Sequence, residues 1–129
     1  NSLREFIGVV NGIRRENPAL HHDWSLRFHE IANDQLICYS KCTADYSNII
    51  LVVVNLSPHH VHSGWLNLDL ESLAVDARSP FQVQDLLTHT HYLWEGRRNY
   101  VEVNPHSVPA HIFRIRRRLL TEKDFDYFL

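Results

Sequence analysis

Glycine is scarce in this chain, with four in 129 residues. That scarcity leaves little from which to build a loop that cradles phosphate, and neither a GxSxG elbow nor an HExxH pair occurs, so the common hydrolase and metalloprotease signatures are missing. A surplus of one charge is missing too. The formal net charge is −2, which argues against the broad positive footprint that a phosphate backbone demands, despite the local run Arg114, Arg116, Arg117 and Arg118. No nucleic-acid partner is expected. No apolar run approaches the roughly 20 residues that span a bilayer, and no basic stretch followed by an apolar core and a small-residue cleavage site opens the chain. Neither a membrane partner nor a secretory signal is expected.

Cysteine is nearly absent. Cys38 and Cys42 fall in a strand-like segment, where four residues of about 3.3 Å rise separate them by roughly 13 Å, beyond the ~7 Å limit for a bridge. Two free thiols suit a reducing, cytoplasmic compartment. What the chain does have is a composition 44% hydrophobic and 22% charged, enough for one domain with a real core. It also has ten histidines, whose protonation below pH ~6.5 makes acid the natural perturbant.

The opening NSLREFIGVVNGIRRENPAL reads as one helix. Leu3, Phe6, Ile7, Val10 and Ile13 fall on one stripe, with Arg4, Glu5, Asn11, Arg14 and Arg15 largely elsewhere. Ser2 and Glu5 match the reciprocal capping pattern, and Pro18 disfavours helix at Asn17. After Pro18 the helical period gives way to short β-type segments: 26–32, 36–42, 49–56, 65–70, 81–86, 91–94, 100–103 and 111–116. Asn33-Asp34 and Gly96 to Asn99 are turn signals, and 71–80 is a longer crossing loop. Ile50 to Leu56 is continuously apolar and suits a central strand covered on both faces. Leu66, Leu68 and Leu70 alternate with polar residues and suit a strand with one wet face. The expected fold is mostly β, an antiparallel two-sheet β-sandwich preceded by one N-terminal helix. An amphipathic helix with no second helix to meet must bury its stripe elsewhere.

Several clusters invite chemistry. His59, His60 and His62, with His21 and His22, suggest a metal site, but an extended HHxH segment turns neighbouring side chains to opposite sides, so loop histidines are the better reading. Asp69 with Glu71, and Asp85 and Glu102, are the carboxylates open to pairing for glycoside cleavage, for which exposed polar faces are the simpler account. Trp65, Tyr92, Trp94 and Tyr100 are aromatics able to stack on sugars or fill a core. The terminal KDFDYFL is unusually apolar for a chain end and reads as a segment that docks onto something else.

Longer strings carry a resemblance. RRENPAL, from Arg14 to Leu20, resembles the end of the last barrel helix in the alpha-amylase superfamily, where the chain leaves the barrel for a C-terminal β-sandwich. LVVVNLSPHH (51–60), VQDLLT (83–88), YLWEGRRNYVEV (92–103) and VPAHIFRIRRR (108–118) resemble the C-terminal region of the bacterial α-1,4-glucan:maltose-1-phosphate maltosyltransferases. The resemblance implies that residues 1–20 are the last helix of a truncated catalytic barrel and 21–129 the sandwich. It implies a parent glycosyltransferase or glycosidase moving maltosyl units from maltose 1-phosphate to α-1,4-glucan with retention. The motifs bearing that parent's catalytic carboxylates are not found here, so no catalytic residue, metal or cofactor is carried over. The partner implied is the barrel, packed through Leu3, Phe6, Ile7, Val10 and Ile13, with weak self-association expected of the chain alone. The alternative is a carbohydrate-binding module contacting α-glucan through Trp65, Tyr92 and Trp94. After VQDLLT the related proteins tend to have glycine where this chain has His89, so an altered turn is expected there.

Overall fold

The computed structural model describes residues 2–120 and 126–128, with side chains described for residues 4–117. Helix α1 runs Ser2–Glu16, a 3-10 turn follows at Pro18–His21, and strands β1 (Arg27–Ile31), β2 (Leu36–Cys42), β3 (Ile49–Asn55) and β4 (His62–Asn67) come next. After a second 3-10 turn at Glu71–Leu73 come β5 (Phe81–Asp85), β6 (His91–Trp94), β7 (Arg98–Val103) and β8 (Ala110–Arg116), then a small separate pair, β9 (Arg118–Leu120) with β10 (Asp126–Phe128). The Ser2 and Leu3 side chains and most of the KDFDYFL tail, and with them the capping pattern and the docking of that tail, lie outside the described residues.

Every pairing is antiparallel, in the order β6-β5-β8-β3-β2-β1-β4-β7. The sandwich arises because β1 serves two sheets. Arg27, Phe28 and His29 pair with β2, while Glu30 and Ile31 pair with β4. The first sheet is therefore β6-β5-β8-β3-β2-β1 and the second is β1-β4-β7, joined at a strand that changes sheet, as such corners require. The expected two-sheet sandwich is what forms.

Between the sheets lies the main core. Leu36, Cys38, Leu51, Val53, Val83 and Phe113 of the first sheet meet Leu66, Val101 and Val103 of the second. Leu68 and Leu70 are buried there as well, but from the loop after β4 rather than from the strand. The wet-face alternation is real; the strand runs three residues earlier than its pattern suggested. A second cluster, Ile13, Ala19, Ile50, Val52 and Ile112, lies on the outer face of the first sheet. β3 is thus covered on both sides, as its unbroken apolar run requires.

Among the described residues, three that are not glycine, Tyr46, Ala74 and His89, have positive φ. His89 follows VQDLLT at φ 64°, and its N–H donates to the Asp85 carbonyl at 2.7 Å. The turn is thus held in the left-handed conformation that a glycine takes freely, with a histidine occupying it.

Candidate functional site

The first candidate surface is built by α1. Asn17, in the middle of RRENPAL, is buried and ties the end of the helix to the sandwich. Its Nδ2 donates to the Ile13 carbonyl at 2.9 Å, its Oδ1 accepts from Asn48 Nδ2 at 2.9 Å, and Asn48 Oδ1 accepts the Ala19 N–H at 2.9 Å. Removing either amide strands buried polar groups, which costs about 1–3 kcal/mol each. Asn48, two residues past Tyr46 in a polar loop, carried no signal in the sequence, because nothing local distinguishes a connector from an ordinary turn residue.

Beyond that bracket the stripe is only partly closed. Ile13 is 6% exposed against the sheet while Ile7 is 50% exposed; Phe6 and Val10 are half-buried. Val10 and Arg14 overhang a cleft of about 380 Å³ floored by Tyr39, Val52 and Ile112. The apolar row of that sheet face continues outward, where Phe28 is paired beside Tyr39 and stands exposed, its ring edge-on at 6.1 Å. Trp24 and Leu26, just before β1, are also exposed.

The second surface is the outer face of the β1-β4-β7 sheet. Trp65 and Tyr100 are direct cross-strand partners, exposed, with ring centroids 5.3 Å apart. The Arg98 guanidinium lies 4.6 Å over the indole. Tyr92 and Trp94 do not join them. Both sit on the inner face of β6, opposite Val83 and Phe81, with rings edge-on to Phe113 at 6.2 and 5.3 Å. The three aromatics proposed to share a sugar thus belong to two different surfaces.

The remaining polar clusters are internal bonds. Asp85 is 1% exposed. It accepts the Leu87 N–H at 2.9 Å and faces His111 Nδ1 at 2.8 Å; His111 Nε2 donates to the Glu102 carbonyl at 2.6 Å. Burial pushes the Asp85 carboxyl up, but the His111 bond and the Leu87 and Thr88 amides outweigh it and hold it below its usual range. Burial likewise pushes His111 down, and the Asp85 and Glu102 bonds outweigh it, leaving it above its ordinary value. Asp69 pairs with Arg27 at 3.4 Å and Glu71 with Arg97. Asn55 Nδ2 donates to the His60 and Val103 carbonyls at 2.9 and 3.1 Å. Among the described residues no three His, Cys, Asp or Glu side chains gather as a metal would require. Cys38 and Cys42 are both buried free thiols, and burial pushes Cys38 up to about 12.

Fold and surfaces together define a β-sandwich module bracketed by one helix. Residues 28–115 match the family described as GLGE, C-terminal, and the chain belongs to that family. It is 42% identical to the alpha-1,4-glucan:maltose-1-phosphate maltosyltransferase of Chlorobaculum tepidum, over 88% of this chain and 18% of that one. It is 46% identical to maltosyltransferase 2 of Streptomyces coelicolor, over 90% of this chain and 17% of that one. The chain therefore spans under a fifth of the length of the relatives it matches. The solved GH27 arabinopyranosidase of Geobacillus stearothermophilus shows a distant likeness, with TM-score 0.47 and 15% identity over 74% of this chain and 21% of that one. No helix among the described residues is long and apolar enough to cross a membrane.

Proposed function

We propose that this chain is the non-catalytic C-terminal sandwich of a cytoplasmic maltosyltransferase, and that it packs on the catalytic barrel preceding it through α1 and the outer face of the first sheet. The observation that carries this reading is the half-closed helix. Asn17 and Ile13 fix its end to the sandwich, while Ile7 stays half exposed and Phe6 and Val10 half-buried. An apolar stripe with one end anchored and the rest open fits a second body lying along it. The relatives, several times longer and named as α-1,4-glucan:maltose-1-phosphate maltosyltransferases, support a larger parent polypeptide and a parent reaction of that kind. Buried free thiols agree with a reducing compartment.

Ile7→Asp is the discriminating variant. In this chain alone the site is already half in water, so unfolding free energy shifts by no more than about 0.5 kcal/mol. In the longer polypeptide the same carboxylate is driven into an apolar contact, and stability falls by about 2 kcal/mol or more. Equal small effects in both settings would falsify the packing. The chain alone turns over no maltose 1-phosphate, and its open stripe gives weak, concentration-dependent self-association in ultracentrifugation that Ile7→Asp abolishes.

A further inference from the structure

The outer face of the second sheet lies on the opposite side of the sandwich from the face on which Ile13 of α1 packs. Its composition is unusual for a wet sheet face. Trp65 and Tyr100 are 44% and 53% exposed, and their ring planes meet at 64°. Arg98 lies against the indole and fixes its orientation. In the adjacent row, Glu30, Asn67 and Arg98 are direct cross-strand neighbours, with Asn67 Nδ2 donating to Glu30 Oε2 at 3.1 Å. Glu102 lies one row further on the same side as Tyr100. A cleft of about 360 Å³, lined by Glu30, Ala32, Trp65, Asn67 and Arg98 among others, opens beside the Trp65 ring.

We infer that this face is a binding surface for an α-1,4-linked glucan chain, with Trp65 and Tyr100 as stacking groups and Glu30, Asn67 and Arg98 as hydrogen-bonding partners to sugar hydroxyls. Charge excludes the main alternative ligand. Two carboxylates against one guanidinium repel a polyanion, whereas interleaved donors and acceptors match a neutral polyol, each hydroxyl of which both donates and accepts. Aromatic rings exposed beside such groups cover the C–H face of a pyranose while the polar rim takes its hydroxyls. The choice of an α-linked glucan rests on the parent reaction proposed above; the surface itself does not.

Isothermal titration calorimetry of the full 129-residue chain with maltoheptaose and with cellohexaose tests this. Saturable binding of maltoheptaose is expected, at least about tenfold tighter than cellohexaose. Trp65→Ala and Tyr100→Ala each weaken it by about tenfold, the loss of one stacking contact. Asn67→Ala weakens it less, and Tyr92→Ala leaves it unchanged. Melting curves check that each variant is folded; should Trp65→Ala not fold, Tyr100→Ala and Arg98→Ala decide. A flat maltoheptaose titration, equal affinity for cellohexaose, or full affinity in folded Tyr100→Ala overturns the inference. A flat titration alongside the Ile7→Asp contrast described above removes the glucan surface and leaves the packing role standing, and the converse result removes only the packing.

Discussion

Two histidines, His29 buried and His111 half-buried, stitch the two sheets together, and they do so in opposite charge states. His29 sits on β1 where that strand passes from one sheet to the other. Its Nδ1 accepts the Asp69 N–H at 3.1 Å, so the ring proton must be on Nε2, which faces Ser40 Oγ at 2.7 Å. His111 on β8 meets an acceptor on each side, the Asp85 carboxylate and the Glu102 carbonyl. It therefore carries both protons. A donor on one side makes a histidine neutral; acceptors on both make it a cation. Burial lowers His29, opposed by Asp69 and helped by Arg27, whereas the bonds to Asp85 and Glu102 outweigh burial and raise His111. The same residue type thus gives these two junctions between the sheets opposite responses to pH.

The sharpest way to break this comparison is His111→Ala. It leaves the Asp85 carboxylate, 1% exposed, without its partner, and a buried charge so stranded costs about 3–5 kcal/mol. Urea unfolding at pH 6 measures it, and a loss under about 1 kcal/mol would show that the pair is not ionic. The pH dependence follows from the raised pKa. Below the unfolded value near 6.5 both states bind the proton and the stabilisation is fully present. As pH climbs through the higher folded value it is lost, and His111→Ala removes that alkaline decline. His29→Leu is the smaller change, costing about 1–3 kcal/mol for the unsatisfied Asp69 N–H and Ser40 hydroxyl. Its sign is reversed. With the folded pKa lowered, the unfolded chain binds the proton first, so wild-type stability is complete above about pH 6.5 and falls as the medium is acidified. His29→Leu flattens that acid limb, and a limb that survives intact assigns it to other groups.

What the sequence made legible divides along the same line. Periodicity marked the helix, eight of the strands and the doubly covered β3, because burial on one or two faces leaves a period of 3.6, a period of 2 or an unbroken run. It could not show that β1 serves two sheets, since a corner strand looks like any short half-buried strand until its partners are known. The polar connectors were harder still. Asn17, Asn55, Asp85 and His111 all stand in strings that carry the family resemblance, yet reading residue types alone made Asp85 a candidate for glycoside chemistry, and only its bond to His111 makes it a sheet junction. Trp65 and Tyr100 were grouped together only as two of four aromatics, and the glucan-contact set kept Tyr92 and Trp94 in place of Tyr100, because register is set by turn and loop lengths that the pattern of side chains does not report.

His89 completes the comparison, since its side chain is exposed and backbone geometry rather than imidazole chemistry defines the position. A β-carbon at φ 64° crowds the neighbouring carbonyl, at a cost of about 1–2 kcal/mol. Glycine removes that strain but adds about 0.5–1 kcal/mol of unfolded-chain entropy. His89→Gly is therefore expected to stabilise by only about 0.5–1 kcal/mol, raising the melting temperature by about 2–4 °C. A loss would mean that the left-handed conformation is not what holds the VQDLLT loop.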